Sequence, residues 1–329
     1  MSLSPLRAVR ASAAAACAVA LLALAGCSSE PAAQETTATD QSTRTVDSYY
    51  GDVEVPADPQ NIVAVSYDTP WQLMSLGVDV IGAQDYSSYA SSFTEEQDEY
   101  LADASSVGTY GEIDYEAVLA LAPDLIVGDA YEVDEDVYAK LSAIAPTVIV
   151  FGDDRADWKT IVDDLAAAVG AEDTLDEVSA AYDARIAELQ DEYAEVLAGY
   201  TVAPVTIGNQ EVEFSIMYPT GVTGSIYTEL GFTYADSIPE GDFEAGYESY
   251  PYERISEILG DADVIVTPTQ ADGTNYPALQ TLFDNELFQA LPAAVAGHVY
   301  SFPLDVTDYV TALDYLDSIE QNVLSVLAR

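Results

Sequence analysis

Apolar runs and polar segments alternate along the first half of the chain, and their lengths predict strands separated by helices. Short, continuous apolar runs at residues 61–66, 78–83, 125–128 and 147–151 are typical of buried strands. Helices are predicted between them at residues 70–76, 115–122 and 137–144, the first of them closed by Gly77. Because strands that are apolar throughout are buried on both faces, this half predicts a parallel sheet covered by helices.

The second half of the chain repeats this order. Strands are predicted at residues 205–208, 232–234, 264–266 and 298–302. Helices are predicted at residues 223–230, in a segment that begins at Tyr252, and in a separate segment that ends with residues 291–295. A further amphipathic helix at residues 307–327 is expected to cap this half. Two lobes of one plan bring the loops at the carboxyl ends of their strands face to face, so we predict a ligand cleft between the lobes.

A helical region separates the two halves. A first helix carries apolar residues on one face from Trp158 to Val169 and stops at Gly170. A second is expected to begin with a capping box at Thr174 and Glu177 and to run to Gly199, nearly 40 Å at about 1.5 Å per residue. Because a helix is a stiff connector, we expect little hinge closure.

The predicted fold class is therefore α/β, with two lobes that each contain a mainly parallel sheet flanked by helices. The N-terminal lobe is placed at residues 49–153, the helical connector region at 154–199 and the C-terminal lobe at 200–329.

The first residues have the pattern of an export signal. Arg7 and Arg10 precede an apolar run, and Leu24-Ala-Gly-Cys27 follows it, so residues 1–26 are predicted to be a signal peptide. A leucine three positions before a cysteine resembles the lipobox of bacterial lipoproteins. The resemblance implies cleavage before Cys27, a lipid on its sulfur, and an extracytoplasmic protein anchored to the outer face of the cell membrane. The alternative is an ordinary signal peptide. Residues 27–48, polar and aperiodic after the cysteine, are predicted to form a tether.

Composition excludes several classes of protein. The chain has 58 acidic and 9 basic residues and a formal net charge of −49, which disfavours nucleic-acid binding. Its single histidine, His298, and two cysteines exclude the usual zinc sites and disulfide scaffolds. We therefore expect no metal site in the protein and no cofactor, iron entering only as part of a bound chelate.

One motif is specific enough to be compared with a known protein family. Gly108, a short loop, Glu116, an apolar helix, Pro123-Asp124 and a strand follow one another, and Tyr252-Glu253 through residues 263–266 repeat the later part. This arrangement resembles the two-lobed substrate-binding lipoproteins of ABC importers for iron–siderophore complexes, haem and cobalamin, which have a helical backbone between the lobes. The resemblance implies a monomeric binding protein, not an enzyme, that serves permease subunits in the cytoplasmic membrane. It also implies that Glu116 and Glu253 dock on permease arginines.

Candidate ligand contacts are residues on the loops that follow the predicted strands. Tyrosine and tryptophan supply rigid area with a polar tip, which suits a bulky chelate, and a rare cation at the cleft edge can bond its oxygens. The candidates are Tyr67, Trp71, Tyr86, Tyr110, Tyr131, Arg155, Tyr218, Tyr250, Thr269 and Tyr276.

The acidic chain favours a neutral or cationic ferric hydroxamate over a highly charged catecholate, and the cargo is expected to be a ferric siderophore. Haem and cobalamin remain alternatives within the same family. A secreted acidic hydrolase is the rival from another class, since paired carboxylates can serve as acid and base. However, the sequence contains no Gly-x-Ser-x-Gly, His-Glu-x-x-His or P-loop motif.

Overall fold

The computed structural model describes residues 42–88, 93–152, 157–210, 212–240, 246–303 and 306–329. Cys27, Arg155, the predicted signal peptide and most of the predicted tether lie outside these ranges. Within them, no helix combines the length and the apolar character that a bilayer span requires.

The first lobe contains a parallel sheet, as predicted. Its strands, with two flanking hairpins, are β1 (Thr43–Val46), β2 (Val53–Pro56), β3 (Ile62–Ala64), β4 (Gly82–Ala83), β5 (Ser105–Ser106), β6 (Gly108–Thr109), β7 (Glu112–Ile113), β8 (Leu125–Asp129) and β9 (Thr147–Val150). Its helices are α1 (Thr69–Ser75), α2 (Glu95–Tyr100), α3 (Tyr115–Leu121) and α4 (Glu135–Leu141). The sheet order is β5-β4-β3-β8-β9, and every described pairing in it is parallel. The strand predicted at residues 78–83 is shorter than expected.

The motif around Gly108 is a tight β-hairpin that leads into α3. Gly108 has a φ of +126°, and a Cβ there would lie 2.1 Å from the carbonyl oxygen of Glu112, so only glycine fits. The Asp114 carboxylate then caps α3 by accepting from the backbone N–H groups of Glu116 and Ala117, at 3.1 and 3.0 Å. The hairpin and the cap together fix Glu116 in the first turn of α3.

Three helices connect the lobes: α5 (Trp158–Val169), α6 (Glu172–Glu192) and α7 (Ala194–Gly199). The apolar face of α5 is buried as predicted, and Gly170 ends it with a φ of +80°. The predicted capping box is wrong, because α6 begins at Glu172 without a side-chain cap and Thr174 lies inside it. Glu172 and Asp173 place negative charge in the first turn, which favours this earlier start. The helix also ends earlier than predicted, at Glu192, so its 21 residues span about 32 Å.

The hairpin β1–β2 precedes the first sheet and corrects the predicted tether, because Thr43–Val46, which lie inside the range 27–48, form a strand. Arg44 of β1 donates to the carbonyl oxygens of Ala167 and Ala168, the latter at 2.8 Å, and so holds the hairpin on the last turn of α5. Only Val46 of β1 is buried, so this strand has no apolar run from which it could have been predicted.

The second lobe contains a mixed sheet. Its strands are β10 (Thr201–Ile207), β11 (Glu213–Met217), β12 (Thr233–Tyr234), β13 (Tyr247–Pro251), β14 (Val264–Thr269) and β15 (Val299–Pro303). Its helices are α8 (Val222–Leu230), α9 (Ile255–Ile258), α10 (Pro277–Phe283), α11 (Glu286–Gln289), α12 (Pro292–Ala296), α13 (Tyr309–Ile319) and α14 (Ser325–Leu327). A 3₁₀ turn at Tyr252–Arg254 leads into α9, and a π-helical turn at Glu320–Leu324 joins α13 to α14.

The predicted parallel core of this sheet is present. β10 pairs in parallel with β12 and β14, and β14 with β15. β11 and β13 were not predicted. They extend the sheet through antiparallel pairings, β11 with β10 and β13 with β11. Polar residues such as Ser215 and Ser249, whose hydroxyl oxygens lie 2.7 Å apart across β11 and β13, interrupt the apolar runs that mark buried strands.

One hydrophobic core joins the connector helices to both lobes. The Trp158 ring of α5 lies 5.9 Å from the ring of Tyr182 on α6 and 4.9 Å from that of Tyr309 on α13. Leu73 of α1 and Val264 of β14 belong to the same buried cluster. The C-terminal helical segment predicted at residues 307–327 thus packs on both the second lobe and α6.

A polar network reinforces this junction. The Glu229 carboxylate of α8 accepts from Lys159 Nζ of α5 and from the Tyr182 hydroxyl of α6, both at 2.8 Å. Tyr182 is fully buried, and its burial beside Glu229 raises the pKa of its hydroxyl, so it stays protonated and donates. Arg185 of α6 bonds Asp317 of α13 at 2.8 Å. Ion pairs and hydrogen bonds therefore fix the second lobe to the connector.

Replacing Glu229 with Ala is expected to lower the free energy of unfolding by about 1–3 kcal/mol, because the buried Tyr182 hydroxyl loses its acceptor. Urea denaturation monitored by circular dichroism measures this change. The matched control is Glu188→Ala, which removes a 61% exposed partner of Arg185 and is expected to cost less than about 0.5 kcal/mol. Equal losses in the two variants would contradict a structural role for the buried contact.

Candidate functional site

Two cavities lie between the lobes, at the carboxyl ends of their parallel strands. The large cavity has a volume of about 620 Å³ and is bordered by α1 and α2 from the first lobe and by the loop after β14 and α13 from the second. Its walls include Tyr67, Trp71, Glu96, Thr269, Tyr276, Asp308, Thr311 and Asp314. The small cavity, of about 310 Å³, has walls that include Asp68, Asp129, Tyr131, Trp158, Thr206, Gly221, Val222, Thr223, Gly224 and Tyr247.

A contact between the lobes separates the two cavities. Gln72 Nε2 of α1 donates to the carbonyl oxygen of Thr307, at 3.2 Å, and both residues border the small cavity. Their chain neighbours Trp71 and Asp308 border the large one. This hydrogen bond thus ties α1 to the start of α13 beside both cavities.

The first-lobe wall of the large cavity is aromatic. The Trp71 ring lies 4.8 Å from Phe93 and 5.2 Å from Tyr86, and Tyr67 lies 5.3 Å from Tyr86, with ring planes tilted or perpendicular. Tyr110 extends the group toward solvent, 5.9 Å from Tyr67. Rings packed at these distances support one another, so the wall is rigid before any ligand enters.

Buried polar groups hold Tyr67 in place. The Glu132 carboxylate accepts from the backbone N–H of Tyr67 at 2.6 Å and from Gln84 Nε2 at 2.9 Å. Burial raises the pKa of Glu132, and the two hydrogen bonds oppose that rise by stabilising the carboxylate. The Tyr86 hydroxyl donates to the carbonyl oxygen of Tyr67 at 2.9 Å. Both the N–H and the carbonyl oxygen of Tyr67 are thus hydrogen-bonded.

The second-lobe wall of the large cavity carries carboxylates. Asp308 is 1% exposed and caps α13 by accepting from the N–H groups of Val310 and Thr311, at 2.8 and 3.1 Å. Burial raises the pKa of Asp314, and the charges of Asp317, Asp308 and Glu96 raise it further. Because Glu96 belongs to the first lobe, acids of both lobes share this cavity. Among the described residues that line the two cavities, none is Lys, Arg or His.

Five of the ten predicted ligand contacts border the cavities. Tyr67, Trp71, Thr269 and Tyr276 line the large cavity. Tyr131 lines the small one, is 39% exposed, and packs on Phe151 with ring centroids 4.9 Å apart.

Four other candidates have different positions. Tyr218 and Tyr250 are 4% and 6% exposed, belong to the core of the second lobe and bond each other through their hydroxyls at 2.8 Å, so their prediction as cleft residues is wrong. They lie on or beside the antiparallel strands that the sequence analysis missed. Tyr86 is 8% exposed, and it supports the aromatic wall from behind. Tyr110 is 57% exposed at the outer rim, and Arg155 lies outside the described residues.

Several cleft residues escaped sequence reasoning. Phe93, which follows no predicted strand, packs on Trp71 of the large-cavity wall without lining the cavity itself. Trp158 was assigned to the connector core, yet it also borders the small cavity. Thr311 and Asp314 lie on α13, one turn apart, on a helix expected only to cap the second lobe. Their shared helical face was a signal available in the sequence.

Glu116 and Glu253 occupy matching places in the two lobes. Both are exposed, and each lies in the first turn of a helical segment that leads into a central strand, β8 or β14. Arg254, next to Glu253, is held by Glu257 at 2.6 Å and lies over the Tyr250 ring. Helices that run back against parallel strands start at the edge of the sheet where the strands end, so both carboxylates lie on the side of the lobes that opens into the cleft.

Comparison with known proteins gives a consistent result. A family model described as periplasmic binding protein matches residues 62–306. The probable siderophore-binding lipoprotein YfiY of Bacillus subtilis is 31% identical over 220 residues, which cover 65% of this chain and 64% of that protein. The iron(3+)-hydroxamate-binding protein FhuD of the same organism is 26% identical over 291 residues, or 86% of this chain and 86% of that protein.

Among solved structures, the siderophore periplasmic binding protein from the fuscachelin gene cluster of Thermobifida fusca is 30% identical and superimposes with a TM-score of 0.70. The match covers 80% of this chain and 97% of that chain. The predicted two-lobed α/β architecture is thereby confirmed.

The Tyr218–Tyr250 pair is expected to stabilise the second lobe. Replacing either tyrosine with Phe leaves a buried hydroxyl short of one partner and should cost about 1–2 kcal/mol of unfolding free energy. The double replacement removes both hydroxyls and should cost less than the sum of the two single changes. Chemical denaturation of the four proteins measures this coupling, and strictly additive losses would contradict it.

Proposed function

We propose that this chain, which belongs to the periplasmic binding protein family, captures a ferric siderophore outside the cytoplasm and delivers it to an ABC permease. The observation that carries the proposal is the cleft itself. Its large cavity of about 620 Å³ lies within the usual range for small-molecule sites and has a preformed aromatic wall. YfiY and the Thermobifida protein are named as siderophore-binding and FhuD as iron(3+)-hydroxamate-binding, which supports the same class of cargo.

Hydroxamate siderophores are the favoured class. A ferric trihydroxamate is neutral, whereas a ferric triscatecholate carries high negative charge. Carboxylates of both lobes border the large cavity, and Lys, Arg and His are missing from the described lining residues. Since like charges repel across a partly desolvated cleft, these walls disfavour the catecholate complex. The hydroxamate-binding relative supports this choice.

The remaining parts of the proposal concern location and partners. The signal-like N-terminus with Cys27 supports export, lipidation and anchoring at the outer face of the cell membrane. The carrier would act as a monomer and bind its cargo without changing it, while ATP hydrolysis belongs to other subunits. Glu116 and Glu253 would pair with permease arginines, because exposed carboxylates form strong bidentate bonds with guanidinium groups.

Ligand class is tested by mixing the purified protein with Fe³⁺–Desferal, a ferric triscatecholate, haem or cobalamin, followed by gel filtration and absorption spectroscopy. We expect Fe³⁺–Desferal to co-elute and to bind most tightly. Replacing Tyr67 or Tyr276 with Ala should weaken it about tenfold, because each removes an aromatic surface from the large cavity.

The matched control is Tyr250→Phe, which alters a buried tyrosine of the second-lobe core and should leave the affinity unchanged. Tighter binding of the triscatecholate would overturn the hydroxamate assignment. Co-elution of haem or cobalamin alone would move the protein to those cargoes, and co-elution of none would refute the binding function.

Docking is tested with the double variant Glu116→Ala and Glu253→Ala. We expect it to abolish uptake of the ferric siderophore by cells while leaving the affinity of the purified protein intact, because both carboxylates are exposed. Glu135→Ala with Glu286→Ala is the matched control, since these exposed glutamates also occupy the first turns of helices, one in each lobe. Normal uptake by the first variant would refute the docking role.

A further inference from the structure

Two exposed aliphatic side chains lie beside the two docking glutamates. Leu119 is 60% exposed and Val212 is 61% exposed. Among the large aliphatic side chains in the described part of the chain, only Val295, at 76%, is more exposed. Single exposed apolar residues are common on protein surfaces, so the informative feature is the position of these two and not their exposure alone.

Leu119 shares an exposed face of α3 with Glu116. The two residues are three positions apart and both are exposed, whereas Val118 between them is fully buried. This spacing places Leu119 about 4.5 Å from Glu116 along the helix axis. The hairpin and helix at residues 108–121 contain three acidic residues and no Lys or Arg. The face therefore combines negative charge with apolar surface.

Val212 reaches Glu253 by a different route. It lies in the connection from β10 to β11, which leaves the sheet at the carboxyl end of β10. Its carbonyl oxygen accepts from the backbone N–H of Tyr252 at 3.0 Å, so Val212 lies directly beside Glu253. An exposed aliphatic side chain thus accompanies the docking glutamate of each lobe, through helix spacing in the first and through a backbone hydrogen bond in the second.

Val295 lies outside this arrangement. It is near the end of α12, which leads into β15. The helix therefore ends at the edge of the sheet where the parallel strands begin, and this edge faces away from the cleft. Of the three most exposed aliphatic side chains in the described ranges, two thus lie beside the docking glutamates and the third lies at the opposite edge.

The chemistry of docking gives these neighbours a role. An ion pair between an exposed carboxylate and an arginine contributes little while water surrounds it. An apolar side chain that becomes covered beside the pair excludes water and adds buried apolar area, which strengthens the contact. The ion pairs formed within the described residues involve neither Glu116 nor Glu253, so neither carboxylate is already occupied by a cation there.

We propose that Leu119 and Val212 complete the docking surface, each covered by apolar surface of the permease next to the arginine that pairs with Glu116 or Glu253. This inference rests on the proposed function and deepens it, because it specifies the chemistry of the partner. The permease must present a basic group flanked by apolar side chains at both contacts.

Leu119→Gln combined with Val212→Thr tests the proposal, because each change nearly keeps the size of the side chain and makes it polar. In cells whose only copy of the gene carries both changes, we expect uptake of radiolabelled Fe³⁺–Desferal to fall about three- to tenfold. The Kd of the purified variant for Fe³⁺–Desferal should not change, because neither residue lines a cavity of the cleft. Val295→Thr is the matched control and should leave uptake normal.

The outcomes separate this inference from the proposed function. Normal uptake with the polar pair, while Glu116→Ala with Glu253→Ala abolishes it, would overturn the inference and leave docking by the glutamates standing. An equal loss with Val295→Thr would also overturn it. Gel filtration tests a second copy of the chain as the occupant: a wild-type dimer that the polar pair converts to a monomer would assign both side chains to self-association instead. Failure of wild-type cells to take up Fe³⁺–Desferal would overturn both proposals.

Discussion

The packing of the connector helices against both lobes is the constraint on which the cleft depends. Trp158 of α5 contacts Tyr182 of α6 and Tyr309 of α13 within one buried cluster, and Glu229 of α8 binds groups on α5 and α6. An opening of the lobes would break these contacts together. Because buried aromatic contacts and a satisfied polar network strongly favour one arrangement, they oppose a change in the relative position of the lobes.

The use of the few basic residues follows from the same constraint. Arg44 holds the N-terminal hairpin on α5, Lys159 bonds Glu229, and Arg185 bonds α13. In a chain with 9 basic and 58 acidic residues, these cations stabilise helix contacts, and the described lining of the cleft receives none. The described lining of the cleft, which carries carboxylates, is therefore unfavourable for a highly charged anion.

The sequence predicted those elements whose burial pattern is simple. The parallel strands β3, β8, β9 and β14 are buried along their whole length and each contains an apolar run, and α5 buries a single face, so each was located from the local pattern alone. β11 and β13 were missed because their residues alternate or carry serines that bond across the sheet. Because of that error, Tyr218 and Tyr250 were assigned to loops exposed in the cleft. In the structure, they belong to the core of the second lobe. Phe93 packs against the wall of the large cavity through tertiary contacts, which no local pattern encodes.

A preformed cleft changes where binding free energy originates. If large closure does not occur, the protein cannot gather donors around the cargo after binding, so the donors have to be in place in the empty protein. Trp71 and Trp158 each border one cavity, but the Nε1 of each is buried away from solvent, so both side chains offer ring surface to the cleft. Each Nε1 also lacks a partner among the described residues, which lowers the stability of the protein. The connector thus also provides, through Trp158, part of the wall of the small cavity.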